Sequence, residues 1–490
     1  MPIISLDLQR LALAIDRASD EGDRCELLKL DEECEALELT LCGSERALLF
    51  YFRSNVHAAL QAILDPRSWS WRQPHREKQL FFLRKARSDE GFDGLESFRR
   101  AQITINLGNV LNALGRALDA LDLYDSVLAT SPAFAMGLGN RGNARSYFSR
   151  SLYDRNQAAV ILVGAYDDFK AAIDESAVWE SDYPGVRAQF EAHANEIASV
   201  VDVDKVRSSI DLDRWSLGKS EAERRYRSWA LKNQLFLNPL NVLGVHSIAA
   251  RDQLHMPPHR TDADEPPQYI AWYNQLKQEF CAARFLFFES IEATKKHLAD
   301  RDIYLVNTLD YPAFGLAVEK MRIAFRISYS LLDKVAGLIN ACFGFGIQPT
   351  QVDIRRIWKE RGSPLRLELT EKANLPLRGL YWLSLDLMDE SPDAPNPILP
   401  EAGRLSGIRN ALEHRCLVLR ELDVDQSMGI VETMPISRFE TDTMTVLKLA
   451  RSAIVYTSLA IHCEERIKHS GDAGKAWTVD LPAYEGLCAR

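Results

Sequence analysis

The chain has no C-x-x-C pair, no apolar run of membrane length, no excess of positive charge and no persuasive alternation of polar with apolar residues. Each absence removes a class of protein. Its eight cysteines (Cys25, Cys34, Cys42, Cys281, Cys342, Cys416, Cys463 and Cys488) are scattered, which reads as reduced, partly buried thiols in a cytoplasmic protein rather than zinc ligands or disulfides. The longest apolar run, near residues 158–166, is about half of what a bilayer span needs. The N-terminus MPIISLDLQR lacks the basic and apolar segments of a secretory signal, so neither membrane insertion nor export is expected. A net charge of −10 excludes broad, charge-driven coating of phosphate backbones, although a local basic pocket would still suffice for contact with RNA.

What is present is helical periodicity. The 490 residues are 46% hydrophobic and 26% charged, ordinary for globular protein and too long for one helical core. Leucine, alanine, arginine and glutamate fill the periodic segments, as helix propensity favours. Between about 95 and 180, Leu107-Gly108, Ala120, Tyr124 and Pro132 fall where the tetratricopeptide repeat places its leucine-glycine, alanine, aromatic and proline. A second copy starts near Ala135 with Gly142 in register. Its later residues Ala165, Phe169 and Ala172 fit after an insertion of about eleven residues. Residues 1 to 90 are helical without a clean repeat. The stretch from Tyr226 to Gly244 gathers apolar and aromatic residues around Asn238-Pro239, predicting a buried turn that docks one domain on another. The polar, proline-rich Pro257–Pro267 reads as a boundary.

Beyond it come four amphipathic patterns, enough for a helical bundle. They are Tyr273 to Ile291, Met321 to Ile339 stopping at Gly344-Phe345-Gly346, a helix over 401–422, and Met444 to Ile461. The expected organisation is a repeat domain over 1–200, connecting helices and linker over 201–268, a bundle over 269–470 and a tail over 471–490.

Three motifs fail on inspection. Gly137, Gly139 and Gly142 spell G-x-G-x-x-G without the strand a dinucleotide site needs. Gly218-Lys219-Ser220 lacks the earlier glycine of a phosphate loop, Asp213 standing in its place. His255 and His259 are split by two prolines, which rules out a regular helical metal face. No cofactor and no metal are expected.

The helix carrying RNALEHR is different. Leu405, Ile408, Leu412, Cys416 and Leu419 form a core stripe at helical spacing. Asn410 and His414 project from the opposite side, among Gly407, Ala411 and Val418, and Arg409 stands beside the stripe. These residue types suit RNA cleavage. An imidazole can take the proton of a ribose 2′-hydroxyl as it attacks the adjacent phosphate. A guanidinium matches the charge that builds on the phosphorane, and an amide can orient the phosphate or the imidazole. The blander account makes His414 an interface histidine and Arg409 the ion-pair partner of Glu413.

RNALEH on the third bundle helix, with YRSWALKNQLFLNPLN and SYSLLDKVAGLIN ahead of it, resembles a bacterial subfamily of the HEPN superfamily (higher eukaryotes and prokaryotes nucleotide-binding), often preceded by tetratricopeptide-type helices. The likeness covers about residues 220 to 470. It implies an all-α chain, with a tetratricopeptide-like helical solenoid followed by an HEPN-type helical bundle. It further implies a dimeric ribonuclease with the two motifs facing across a shared cleft, Arg409 and His414 catalytic, and Asn410 as the polar residue that follows the arginine. Such enzymes need no metal, are expected to leave a 2′,3′-cyclic phosphate, and act in toxin–antitoxin or anti-phage settings. A protein partner or antitoxin would then dock on the repeats. Arg355, Arg356 and Lys359, within a basic cluster that includes Arg361 and Arg366, are candidate RNA contacts, or else a solvated helix face. The competing expectations are a non-catalytic adaptor and a nucleotide-binding dimerisation scaffold.

Overall fold

The computed structural model describes residues 6–66, 69–181, 183–260, 266–360, 365–388, 398–422 and 431–469. Arg361 and the expected tail lie outside them. Described residues form an α-helical molecule. Four helices open it: α1 (Leu6–Glu21), α2 (Arg24–Glu38), α3 (Gly43–Leu64) and α4 (Pro74–Ser88). Two antiparallel-type pairs follow, α5 (Ser97–Ala113) with α6 (Ala117–Thr130) and α7 (Ala135–Arg150) with α8 (Arg155–Ile173). Then come α9 (Pro184–Val200), α10 (Val203–Ser209) and α11 (Glu221–Lys232).

The repeat residues do what their size predicts. A Cβ on Gly108 would stand 2.5 Å from the Tyr124 ring, and one on Gly142 3.1 Å from Phe169. Each glycine therefore lets the second helix of its pair close on the first. α6 stops at Thr130, two residues before Pro132, which cannot continue the ladder. The G-x-G-x-x-G string lies inside α7, where its glycines admit Leu128, Phe190 and Phe169. The extra residues of the second unit extend α7 beyond Gly142 and, chiefly, α8 ahead of Ala165.

The C-terminal half contains α12 (Gln268–Ile291), α13 (Leu316–Phe343), the four-residue α14 (Leu367–Thr370), α15 (Leu375–Leu385), α16 (Ala402–His414) and α17 (Ile436–Lys468). α13 ends on Gly344 in the left-handed region, φ 68°, as a C-terminal glycine permits. α17 is long and apolar enough to cross a membrane, but it is the central helix of the bundle and most of its apolar stretch is buried. α15 was not foreseen. It is apolar on every side and buried along its whole described length from Pro376, so it carries no amphipathic signal.

Two expectations are corrected here. The 401–422 helix ends at His414, because Arg415 turns extended (φ −135°, ψ −164°). Residues Leu417–Arg420 then form strand β1, parallel to β2 (Glu432–Pro435), with Leu417 opposite Glu432. The Ala313 amide adds to the other edge of β1, donating to the Leu419 carbonyl at 2.7 Å. Consequently Cys416 is exposed and leaves the core stripe, whereas Leu419 is buried from the strand. Likewise, residues 352–360 make turns around buried Ile357 and Trp358, not a solvated helix face.

The Asn238-Pro239 turn is buried between the two halves. Arg145 of α7 donates to the Val242 carbonyl at 2.9 Å, and Arg451 of α17 to the Phe236 carbonyl at 3.2 Å.

Candidate active site on helix α16

Leu405, Ile408 and Ala411 bury one side of α16. α13 packs alongside and presents Arg322, Arg326, Tyr329 and Asp333 at three- and four-residue steps. Arg326 donates to the Leu412 carbonyl at 2.5 Å, satisfying one of the orphan acceptors at the helix end. Its Nε lies 3.3 Å from Glu413. Arg322 donates to the Leu417 carbonyl at 2.9 Å.

With Glu413 taken by Arg326, the expected Arg409–Glu413 pair does not form. Arg409 is half-buried, and its Nη1 donates to Asn410 Oδ1 at 3.1 Å. Its guanidinium stands 6.0 Å from the centre of the Tyr329 ring. Among the described residues no carboxylate lies within 4.0 Å of it. The guanidinium is thus oriented by a neutral amide and an aromatic face, which leaves its charge available to an anion.

His414 is the last residue of α16 and exposed. Asn410, one turn earlier, is half-buried, and a Cβ on Gly407 would meet nothing within 4 Å. The Gly407–Asn410–His414 side of the helix is therefore open, although Ala411 between them is buried. The structure brings Arg409 and Asn410 into contact and leaves His414 apart, on the same helix end.

Asp333 connects the motif with the basic segment. Its carboxylate accepts from the Ile354 amide at 3.1 Å. Burial pushes its pKa up and Asp353 adds to this, while the Ile354 amide, Arg409 and Arg355 pull the other way. Arg355 thus shares a neighbour with Arg409. Arg356 is exposed and held by Asp353 at 3.3 Å, and Lys359 is half-buried. Tyr329, Asp333 and Arg326 were missed by sequence reasoning. Their one visible signal is a polar stripe on an otherwise apolar helix.

The rejected metal pair is placed on loop backbone: His255 and His259 bond through Nδ1 to the Met256 and Pro257 carbonyls, at 2.8 and 3.1 Å.

A family model described as LA2681-like HEPN matches residues 260–464, which contain α12 to α16 and most of α17. This segment is an HEPN domain. The R-x4-H string occupies the end of its α16, and the helical N-terminal region lies ahead of it. Neither a curated protein nor a solved structure matches the chain.

Proposed function

We propose that the protein is an endoribonuclease of the HEPN toxin type. Arg409 would bind the scissile phosphate, His414 would accept the 2′-hydroxyl proton, and Asn410 would hold the guanidinium in place. Attack of the 2′-oxygen on phosphorus forms a new P–O bond and breaks the P–O5′ bond, the leaving 5′-oxygen takes a proton from solvent water, His414 returns its own proton to solvent, and a 2′,3′-cyclic phosphate remains. The observation that carries this reading is the half-buried Arg409, bonded to Asn410 and near the Tyr329 ring, with no carboxylate within 4.0 Å among the described residues and Asp333 only in its wider field. Arg284, by contrast, is neutralised by Asp252 at 2.7 Å.

His414 stands apart from Arg409 within one chain, so a homodimer that brings two copies of α16 face to face would complete the site. Arg355, Arg356 and Lys359 would guide the strand toward Asp333 and Arg409. The tetratricopeptide-like helices would receive the regulating partner, in a cytoplasmic toxin or anti-phage setting.

The test compares wild type with Arg409→Ala and His414→Ala by sequencing RNA ends after brief induction. Cyclic-phosphate ends should appear with wild type and fall by at least about a hundredfold in either variant, the usual loss when a transition-state contact is removed. Unchanged cleavage in both folded variants would reject the assignment. A scaffold without chemistry is the second reading. It is favoured by the exposed apolar residues Val306 and Leu309, which line one hollow with Glu421 just past β1, and it predicts complex formation with intact RNA.

A further inference from the structure

Residues 292–315 join α12 to α13, and every residue from 301 to 309 is exposed. Between Leu298 and Phe314, eight large apolar side chains are exposed, Tyr304 at 93%, Val306 at 87% and Leu309 at 83%. Side chains of this size present on the order of 150 Å² each, so the eight offer on the order of 1,000 Å². A monomer rarely keeps more than about 600 Å² of contiguous apolar surface. Each half of a stable dimer contributes about 800 Å².

The arm is tied down at both ends. Asp300 accepts the Leu316 amide at 2.9 Å, Asp310 pairs with the buried Arg420 at 2.8 Å, and the Tyr311 carbonyl accepts the Glu421 amide at 3.0 Å. Asp302, Leu309 and Tyr311 have φ of 61°, 62° and 57°, a region that residues other than glycine occupy at a cost. Backbone strain of this kind persists only where the surroundings impose it, and it gathers at functional sites. Leu305, Val306, Leu309, Tyr311 and Phe314, together with Glu421, line an open hollow of about 350 Å³. The Glu421 side chain is exposed and has neither a hydrogen bond nor an ion pair among the described residues. Tyr304 does not line the hollow of its own chain.

We propose that this arm docks on a second copy of the chain, with Tyr304 of each protomer seated in the hollow of its partner and its hydroxyl donating to the partner's Glu421. The fit is reciprocal, as a two-fold interface requires, because one arm carries both the ring and the hollow. A tyrosine that fills a pocket and satisfies its hydroxyl is a common interface anchor. β1 begins three residues after His414, and Glu421 follows its last residue, so the arm lies at the end of the domain that carries the motif. The choice of a second copy rests on the homodimer reading above, since an axis that brings two α16 helices together brings their neighbouring arms together as well. It does not depend on whether the motif cuts RNA.

Sedimentation of the full chain tests the contact. Wild type should be a reversible dimer, and Tyr304→Ala should weaken it at least about thirtyfold, the effect of an interface hot spot. Tyr304→Phe should weaken it roughly tenfold, as loss of a hydrogen bond to a carboxylate implies, and should have no further effect in a Glu421→Gln background. Tyr304 is almost fully exposed, so its substitution should leave the helical circular-dichroism spectrum unchanged. A photo-crosslinking phenylalanine analogue in place of Tyr304, in mixed light and heavy isotope copies, should join peptides of opposite label at residues 305–314 or at Glu421. A monomeric wild type, a dimer indifferent to Tyr304→Ala, or crosslinks confined to one copy would overturn the proposal. A dimer that survives Tyr304→Ala and is broken by Gly407→Arg, on the open side of α16, would overturn the arm and leave the facing α16 helices. Cyclic-phosphate ends made by a monomeric Tyr304→Ala variant would instead reject the shared cleft and uphold the arm.

Discussion

Glu77 lies in α4, where burial pushes its carboxyl up to about 7 against the weaker opposing pull of Arg72. An unfolded glutamate titrates near 4.3, so the folded state holds the proton more tightly. The linked stability is full below the unfolded value and is lost as pH rises through about 7. Glu77→Gln should therefore raise the melting temperature at pH 8 and change it little at pH 4. Asp386 has the opposite sign. Burial opposes its charge, but Arg116 and Arg84 outweigh burial and hold its carboxyl below the usual range. Its contribution is present above the ordinary aspartate value and disappears as pH falls through the folded one. Asp386→Asn should cost about 3–5 kcal/mol at neutral pH in urea unfolding, because two buried arginines lose their acid. Arg409 belongs at this scale too. Its residue type was legible in RNALEHR, but its lack of a carboxylate was not, since that depends on Arg326 claiming Glu413 from a neighbouring helix.

Single atoms decide how the elements meet. A Cβ on Gly139 would fall 2.1 Å from the Phe190 ring of α9, so Gly139→Ala should cost about 1–3 kcal/mol by overpacking. Faster amide exchange over residues 184–200 would show α9 loosening before the rest. At the other end of the chain, Arg326 closes the last turn of α16 through the Leu412 carbonyl. Arg326→Ala should remove about 1 kcal/mol or somewhat more, as a charged hydrogen bond typically contributes, with exchange rising at Glu413 to Arg415. The stop of α13 was readable from Gly344, whereas its start at Leu316 lies ahead of Met321, where the apolar pattern begins. The end of α16 was not readable, because Leu412, Cys416 and Leu419 continue a helical spacing that β1 interrupts. Pairing with β2 and with Ala313, both distant in sequence, decides that segment.

Across the whole molecule, the N-terminal helices and the HEPN domain meet backbone to backbone. Gly115, at φ +90°, and Gly379 of α15 touch so closely that a Cβ on Gly379 would stand 2.4 Å from the Gly115 carbonyl oxygen. Around them Arg378 donates to the Ala113 carbonyl, and the Tyr456 hydroxyl donates to Asp119 at 2.8 Å while accepting from the Leu118 amide. Gly379→Ala should therefore destabilise the contact between the halves by about 1–3 kcal/mol. The readout is the urea midpoint together with proteolysis over residues 201–268, both of which should shift. An unchanged midpoint would show that the two halves are not energetically joined there.

The helical class, the close helix pairs at Gly108 and Gly142, the buried Asn238-Pro239 turn and the R-x4-H string were all legible in the chain. All of these rest on local spacing or on the size of one residue. Packing between distant segments settles where α16 stops, that α15 is buried on all sides, and that Arg409 has no acid within 4.0 Å among the described residues. Those outcomes depend on groups far apart in the chain competing for the same partners, and spacing carries no record of that competition.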